Sequence, residues 1–215
     1  MISHKYKCIF VHIPKTAGTS IENLIWPEVE ERTEELLWMG FIDKYHNKYQ
    51  TGGLQHLTCS QIKEEIGEEL YSSYFKFAVV RNPWGKAVSQ YRYMIEKQKY
   101  LRKFIGMNRW TSFSKYLKLI QKKEHVQWMK QVDFLFDSNG NQGVDEIIRF
   151  EDLTAQFERI ARRLKINQTQ LPHSNKSKGN GRHYSFFYNQ DTVKMIEEMY
   201  REDIEAFGYQ FEGVE

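Results

Sequence analysis

The chain has few of the features that mark disulfide-stapled, membrane-spanning or nucleic-acid-binding proteins. Its 215 residues include two cysteines, Cys8 and Cys59, without metal-site spacing, so the sequence predicts no disulfide framework and favours a reducing, cytoplasmic compartment. No apolar run is long enough to span a bilayer, and the first residues lead straight into a strand, which leaves no room for a signal peptide. A net charge of +3 is too small to indicate nucleic acid but suits a small anionic ligand.

The order of the predicted elements indicates an α/β fold. A chain of this length predicts a single domain over residues 1–215. Helices alternate with strands, which is typical of a central, mainly parallel sheet with helices on its faces. Strands are predicted over 7–13, 74–80, 132–136 and 144–150, helices over 19–26, 58–66, 83–99, 151–164 and 191–207, and a helical, basic and aromatic stretch over 102–129.

The most informative segment follows the first strand. Residues 14–20 read Pro-Lys-Thr-Ala-Gly-Thr-Ser and join this strand to a helix. A tight loop at a helix N-terminus directs backbone N–H groups and the positive end of the helix dipole at one point, which suits a phosphate. The usual nucleotide-binding pattern places its lysine late, whereas Lys15 comes early and Gly18 is the one glycine of the loop. An early lysine favours a different nucleotide.

A second anion-binding pattern follows the strand 74–80. Arg81 stands at the carboxyl end of this strand, where open α/β sheets bind ligands. Ser89 lies two turns into the next helix, and a guanidinium with a hydroxyl can hold a phosphate. Because both loops follow parallel strands, the sequence predicts two anion sites in one crevice, as a nucleotide with 5′ and 3′ phosphates requires.

Together these motifs resemble the sulfotransferases that use 3′-phosphoadenosine 5′-phosphosulfate (PAPS), nearest the carbohydrate (type 2) branch. The pattern H-[IV]-P-K-[TS]-[AG]-G-[TS]-[TS] matches residues 12–20, and R-[DN]-P-x(5)-S-x-[YF] matches residues 81–91. Further matches are at 55–58, 149–153, 175–177 and 203–209, so the resemblance covers nearly the whole chain. It implies a three-layer P-loop-like fold and, without an anchor or luminal stem, a compact, bacterial-like member.

The resemblance also implies roles for individual residues. Lys15 stabilises charge on the oxygen that bridges sulfur to the 5′-phosphate, and His56 takes the proton of the acceptor hydroxyl. Arg81 and Ser89 bind the 3′-phosphate, and the loop 175–182 folds over the nucleotide. The remaining donor-binding residues are expected to be Thr16, Ala17, Gly18, Thr19, Ser20, Lys178 and Arg182. No metal is required, because lysine and the helix dipole supply the positive charge.

Several of these residues have structural alternatives. His56 can instead be a surface-loop histidine, with His12 as the rival base or a residue that orients the loop. Trp84 can stack on adenine or anchor the core. Glu151 and Asp152 can act together as a general base, or they can lie at a helix N-terminus, where carboxylates interact favourably with the helix dipole. The loop 175–182 can be a lid or a surface loop. Aromatic side chains that line the acceptor pocket or pack in the core are Tyr91, Tyr93, Tyr100 and Trp110, and the basic cluster 97–103 is expected to be a solvated helix face.

The acceptor is the part of the function that the motifs leave open. The resemblance favours a sugar hydroxyl, with a small-molecule alcohol or secondary metabolite as the alternative. A P-loop kinase is disfavoured by the early Lys15 and by the lack of a strand-end aspartate for magnesium. A binding protein that has lost catalysis is disfavoured because Lys15, His56, Arg81 and Ser89 are all present.

Overall fold

The structure is a computed structural model that describes residues 1–46, 51–167 and 182–213. Its strands are β1 (Ile2–Ser3), β2 (Cys8–Val11), β3 (Phe41–His46), β4 (Thr51–Gly53), β5 (Phe75–Val80) and β6 (Glu146–Arg149). Its α-helices are α1 (Gly18–Ile25), α2 (Cys59–Ile66), α3 (Glu68–Ser73), α4 (Pro83–Glu96), α5 (Lys99–Ile105), α6 (Phe113–Ile120), α7 (Val132–Leu135), α8 (Leu153–Arg163), α9 (Gln190–Met199) and α10 (Arg201–Phe207). Short 3₁₀ turns include Leu54–His56, Val126–Trp128 and Tyr184–Phe187.

The central sheet has the strand order β1–β2–β5–β6. β2, β5 and β6 are parallel, and the two-residue β1 pairs antiparallel with β2 at the edge. The pairing of Val11 with Ala78 brings the carboxyl ends of β2 and β5 together. Side chains alternate between the two faces, so that Phe10 and Phe77 pack with α1 and α8 while Val11 and Ala78 pack with α4 and α6 on the other side. The fold is therefore the expected three-layer α/β arrangement.

Local sequence signals give the correct bounds of α2 and the correct start of α4, although α4 ends at Glu96 and not at the predicted residue 99. Thr58 caps α2 in a capping box with Gln61, and Gly67 ends the helix with φ of 80°. The Asn82 side chain accepts hydrogen bonds from the first amides of α4, and Pro83 occupies its first turn. These boundaries place the loops that follow β2 and β5.

The prediction of a strand over 132–136 is wrong, because this segment begins with the short helix α7. The carboxylate of Asp203 accepts hydrogen bonds from the backbone N–H groups of Gln131 and Val132, at 3.0 and 2.9 Å. A carboxylate at this position satisfies the open donors of a helix N-terminus and favours the helix dipole. A distant side chain thus overrides the β-propensity of the apolar sequence.

Two predicted helical stretches are divided. The predicted helix 191–207 breaks at Tyr200, whose hydroxyl donates to the carbonyl of Trp128 at 2.8 Å, and gives α9 and α10. The stretch 102–129 contains most of α5, then α6 and a 3₁₀ turn, with Gly106 in the left-handed conformation between the two helices. None of the helices in the described parts of the chain combines the length and apolar character needed to cross a membrane.

Candidate active site

The two predicted anion loops meet at the carboxyl edge of the sheet. The Nη1 of Arg81 donates a hydrogen bond to the carbonyl of Lys15 at 3.1 Å, although the two residues are far apart in sequence. This contact follows from the parallel pairing of β2 with β5, since each residue lies just beyond the end of its strand. The edge of the sheet is where open α/β folds bind ligands.

The loop 12–17 has the backbone shape of an anion site. Lys15 and Ala17 have positive φ angles of 69° and 73°, which non-glycine residues adopt only when the surroundings enforce it. The buried Thr16 hydroxyl donates to the carbonyl of Ile13 at 2.8 Å and holds the turn. Ala17, the N-cap residue of α1, makes no side-chain cap hydrogen bond. The N-terminus of α1 therefore suits an anion, which its first amides and the helix dipole would favour.

Gly18 is required by the packing of the His12 ring. A Cβ at this position would lie 1.9 Å from His12 Nε2, which is far inside van der Waals contact. The other ring nitrogen, Nδ1, lies 2.8 Å from Glu22 Oε1, and the ring stacks on Phe10. His12 therefore locks the start of α1 against β2, in agreement with the loop-orienting alternative for this residue.

Lys15 extends over an aromatic ring. Its Nζ lies 3.9 Å from the centroid of the Tyr93 ring, at cation–π distance. Burial, and then the positive charges of Arg81 and Lys97, lowers the pKa of Lys15 to about 8. The ammonium is therefore still mainly protonated at neutral pH, but its charge is poorly compensated by the protein. Such a group gains strongly from a nearby anion.

Arg81 is held by contacts on both its side chain and its main chain. The guanidinium stacks on Phe150 at 3.9 Å, and burial lowers its pKa to about 10. The side-chain amide of Gln131 accepts from the Arg81 N–H and donates to its carbonyl, both at 2.8 Å. Asp203 in turn accepts from Gln131 Nε2 at 3.3 Å. Among the described residues, the Arg81 guanidinium donates one hydrogen bond, to the Lys15 carbonyl, so its other donors can serve a ligand.

One face of α4 continues the site from Arg81. Gly85, Ser89 and Arg92 follow at helical spacing, so they lie in one row on the helix. A Cβ on Gly85 would lie 3.5 Å from Arg81 Nε, at ordinary van der Waals distance, so the Arg81 side chain lies beside this face of the helix. Arg92 is near enough for its charge to lower the pKa of Arg81. The Ser89 hydroxyl has no hydrogen bond to any residue that the structure describes.

His56 is attached to the same loop through His12. Its Nδ1 lies 3.1 Å from the His12 carbonyl, and since a carbonyl can only accept, Nδ1 carries the proton. Its Nε2 lies 3.2 Å from the side-chain amide nitrogen of Gln127, so Nε2 accepts. Burial, and then the neighbouring His12, lowers the pKa of His56 to about 3. The ring is therefore neutral, with the lone pair of Nε2 directed towards a donor.

Two residues of the site differ from the sequence-based prediction. Gln127 is not predicted, and Glu151 is expected to act as a base or to lie at a helix N-terminus. Gln127 lies in a 3₁₀ turn far along the chain, and no local motif signals its contact with His56. Glu151 accepts from the Asn82 N–H at 2.8 Å and from the Tyr209 hydroxyl at 3.1 Å, so it clamps the turn after β5. Trp84 is 2% exposed and donates to the Val193 carbonyl, which makes it a core anchor.

The remaining predicted residues lie at the rim or outside the described chain. Thr19 is exposed and Ser20 half-buried on the first turn of α1. Lys178 and most of the expected lid lie outside the described residues. Arg182 is exposed just before Tyr184, whose hydroxyl accepts from Asn82 Nδ2 at 3.3 Å. Tyr91 packs in the core against Phe113 and Tyr116, whereas Tyr100 and Trp110 are exposed. No cluster of metal-binding side chains occurs among the residues that the structure describes.

Comparison with known proteins gives one match. A family model described as the sulfotransferase family matches residues 1–210, which is nearly the whole chain. No curated protein and no solved structure matches.

Proposed function

Because the chain belongs to the sulfotransferase family, we propose that it is an O-sulfotransferase that uses PAPS as the sulfuryl donor. The observation that carries this proposal is the hydrogen bond from Arg81 to the carbonyl of Lys15, at 3.1 Å. It joins the two anion loops into one crevice, and a donor with a 5′-phosphosulfate and a 3′-phosphate has an anion for each loop. We further propose that the chain is a single domain and acts in a reducing, cytoplasmic compartment, since both of its cysteines are free and buried.

The loop 15–20 would hold the 5′ end of the donor. The uncapped amides of α1 fit a phosphate, and the residues expected to contribute are Thr16, Ala17, Gly18, Thr19 and Ser20. The Lys15 ammonium is incompletely compensated in the free protein, which fits a group that stabilises charge on the bridging oxygen during transfer. Lys15, Arg81 and the helix dipole together supply the positive charge, so we propose that no metal is required.

Arg81 and Ser89 would hold the 3′ end. The guanidinium is fixed by Phe150 and Gln131 and keeps unused donors, and Ser89 stands two turns along the same face of α4. Arg182 returns to this end of α4 beside Tyr184, and Lys178 precedes it, so both remain candidates for the 3′-phosphate. A rigid guanidinium with a hydroxyl gives both charge and direction to phosphate binding.

His56 would act as the general base. The acceptor oxygen forms a bond to sulfur, the bond from sulfur to the 5′-phosphate oxygen breaks, and His56 Nε2 takes the hydroxyl proton. The Nδ1–H bond to the His12 carbonyl fixes the tautomer whose lone pair is on Nε2. Gln127 occupies the lone pair in the free protein and would be displaced by the acceptor hydroxyl.

We propose a carbohydrate hydroxyl as the acceptor, with a small-molecule alcohol as the alternative. Transfer of labelled sulfate from PAPS to a panel of saccharides and alcohols tests the reaction. We expect labelled product with the unchanged protein and loss of turnover in Lys15→Ala and His56→Ala, whereas Arg81→Ala should mainly raise the KM for PAPS. If His56→Ala keeps a near-normal rate at saturating donor, the base is another residue.

A further inference from the structure

One stretch of the chain carries a large excess of positive over negative charge. Residues 92–130 contain 11 of the 31 lysines and arginines but only two of the 28 aspartates and glutamates. The formal net charge of this stretch is therefore +9, and that of the remainder is −6, against +3 for the whole chain. We call this stretch, which includes α5 and α6, the basic segment.

The basic segment also exposes large aromatic side chains. Tyr100 is 86% exposed, Phe104 is 48% exposed and Trp110 is 94% exposed. Tyr100 and Phe104 are four residues apart on α5, so they lie on one face of the helix, together with Lys99 and Lys103. Aromatic rings beside lysines on one exposed face are typical of a surface that enters a membrane interface.

The exposed cations of the basic segment are almost all lysines. Among the described residues, none of these exposed cations forms an ion pair with a carboxylate. They are Lys97, Lys99, Lys103, Arg109, Lys115, Lys118, Lys122 and Lys123. The buried Arg102, in contrast, points inward and donates to the carbonyl of Ile95 at 3.0 Å. The free positive charge therefore faces solvent.

The basic segment borders both reactive side chains of the site. Lys97, at the end of α4, is close enough for its charge to lower the pKa of Lys15. At the far end of the segment, Gln127 contacts His56, and the ring of His125 lies 5.9 Å from that of Phe104. A surface that binds α5 therefore lies next to Lys15 and His56.

We propose that this face of the basic segment docks on an anionic lipid surface. Lysine is a strongly hydrated point charge, which suits diffuse attraction to anionic headgroups, whereas selective binding of carboxylate or sulfate groups on a saccharide favours the planar fork of arginine. Tyr100, Phe104 and Trp110 then insert at the headgroup level. The docking presents a membrane-borne hydroxyl to His56. This role in presenting the acceptor rests on the proposed function.

Vesicle flotation tests the docking without any transfer assay. We expect the protein to float with vesicles that contain phosphatidylglycerol, to bind pure phosphatidylcholine weakly, and to lose binding at high salt. Each lysine near an anionic surface contributes about fivefold to partitioning, so Lys99→Glu/Lys103→Glu should lose at least about twenty-fold. Phe104→Ser/Trp110→Ser should also weaken binding while leaving the salt dependence in place.

A matched control separates a local face from overall charge. Lys194→Glu/Arg201→Glu makes the same charge change on exposed residues of α9 and α10, and should keep vesicle binding. Equal loss in this control, or no vesicle binding by the unchanged protein, would overturn the proposal. Binding to a soluble sulfated polysaccharide without vesicle binding would also overturn it, in favour of a glycan site. Because vesicle binding needs no donor, it can succeed where the proposed transfer reaction fails, and the two failures are distinguishable.

Discussion

Burial lowers the pKa of both Lys15 and His56, and the two shifts have different consequences. Lys15 has a pKa of about 8 and stays mainly charged at neutral pH. His56 has a pKa of about 3 and stays neutral throughout the physiological range. Lys15 is therefore a cation whose charge the protein compensates poorly, and His56 is a neutral ring whose Nε2 accepts a hydrogen bond from Gln127.

The charge of Lys15 should be visible in ligand binding. We expect the affinity for 3′-phosphoadenosine 5′-phosphate to fall as the pH rises through about 8, because the free lysine then loses its proton. Lys15→Arg keeps its charge at that pH and should remove this decrease, even where its overall affinity differs. Calorimetric titrations at a series of pH values measure the effect, and the same decrease in both proteins would assign it to another group.

The low pKa of His56 should appear in the pH dependence of stability. The folded protein binds a proton on His56 less readily than the unfolded chain, in which the histidine pKa is 6.5. The contribution of neutral His56 to the free energy of unfolding is therefore fully present above pH 6.5 and is lost as the pH falls towards 3. Between pH 7 and pH 5 the contribution to the free energy of unfolding should fall by about 2 kcal/mol. His56→Asn should lack this loss in urea denaturation, and parallel pH curves for the two proteins would contradict the shift.

At the level of elements, the start of α1 is set by the packing of Gly18 on His12. A methyl group at Gly18 would collide with the ring that also supports His56. Gly18→Ala should therefore cost about 1–3 kcal/mol of stability, as overpacked sites do, and should weaken donor binding. Gly213→Ala, where a Cβ meets nothing within 4 Å, is the matched control for thermal unfolding and for calorimetry. Equal behaviour of the two variants would show that the loop tolerates the methyl group.

The elements that could be predicted from sequence are those fixed by near neighbours. The capping box of Thr58 and the Asn82 cap are each formed by residues that lie within a few positions of each other in the sequence. The apolar runs of β2 and β5 show no helical pattern that would compete with a strand. The helix α7 and the contact of Gln127 with His56 could not be predicted, because residues far along the chain create them. The same holds for the clamp of Gln131 on Arg81. Tertiary hydrogen bonds, which leave no local spacing in sequence, account for these differences.

Asp203 connects α10 to Arg81 of the proposed donor site through Gln131. Asp203→Asn removes the charge that accepts three hydrogen bonds at the start of α7, and should cost about 1–3 kcal/mol of stability. It should also weaken binding of 3′-phosphoadenosine 5′-phosphate, because Gln131 holds the main chain of Arg81. Asp43→Asn makes the same change on an exposed residue of β3 and should affect neither. Unchanged ligand binding in a destabilised Asp203→Asn protein would show that the hydrogen bonds of Asp203 to Gln131 do not control ligand binding at Arg81.

At the scale of the whole molecule, positive charge is gathered on one side of the reactive groups. The loops that follow β2 and β5 lie at the carboxyl edge of the sheet, and the basic segment 92–130 continues from α4 past Lys15 to the neighbourhood of His56. The rest of the chain is acidic in balance. Such a distribution orients the molecule towards an anionic partner before any specific contact forms.

The most direct test of the two-loop donor site compares two nucleotides in calorimetry. In the proposed site, 3′-phosphoadenosine 5′-phosphate would engage both loops, whereas adenosine 5′-phosphate lacks the group that we propose Arg81 and Ser89 bind. We expect the unchanged protein to bind the 3′-phosphorylated nucleotide at least about tenfold more tightly, as loss of a charge-assisted contact would predict, and Arg81→Ala to abolish this preference. Equal affinity for the two nucleotides in the unchanged protein, or no binding of either, would contradict the assignment.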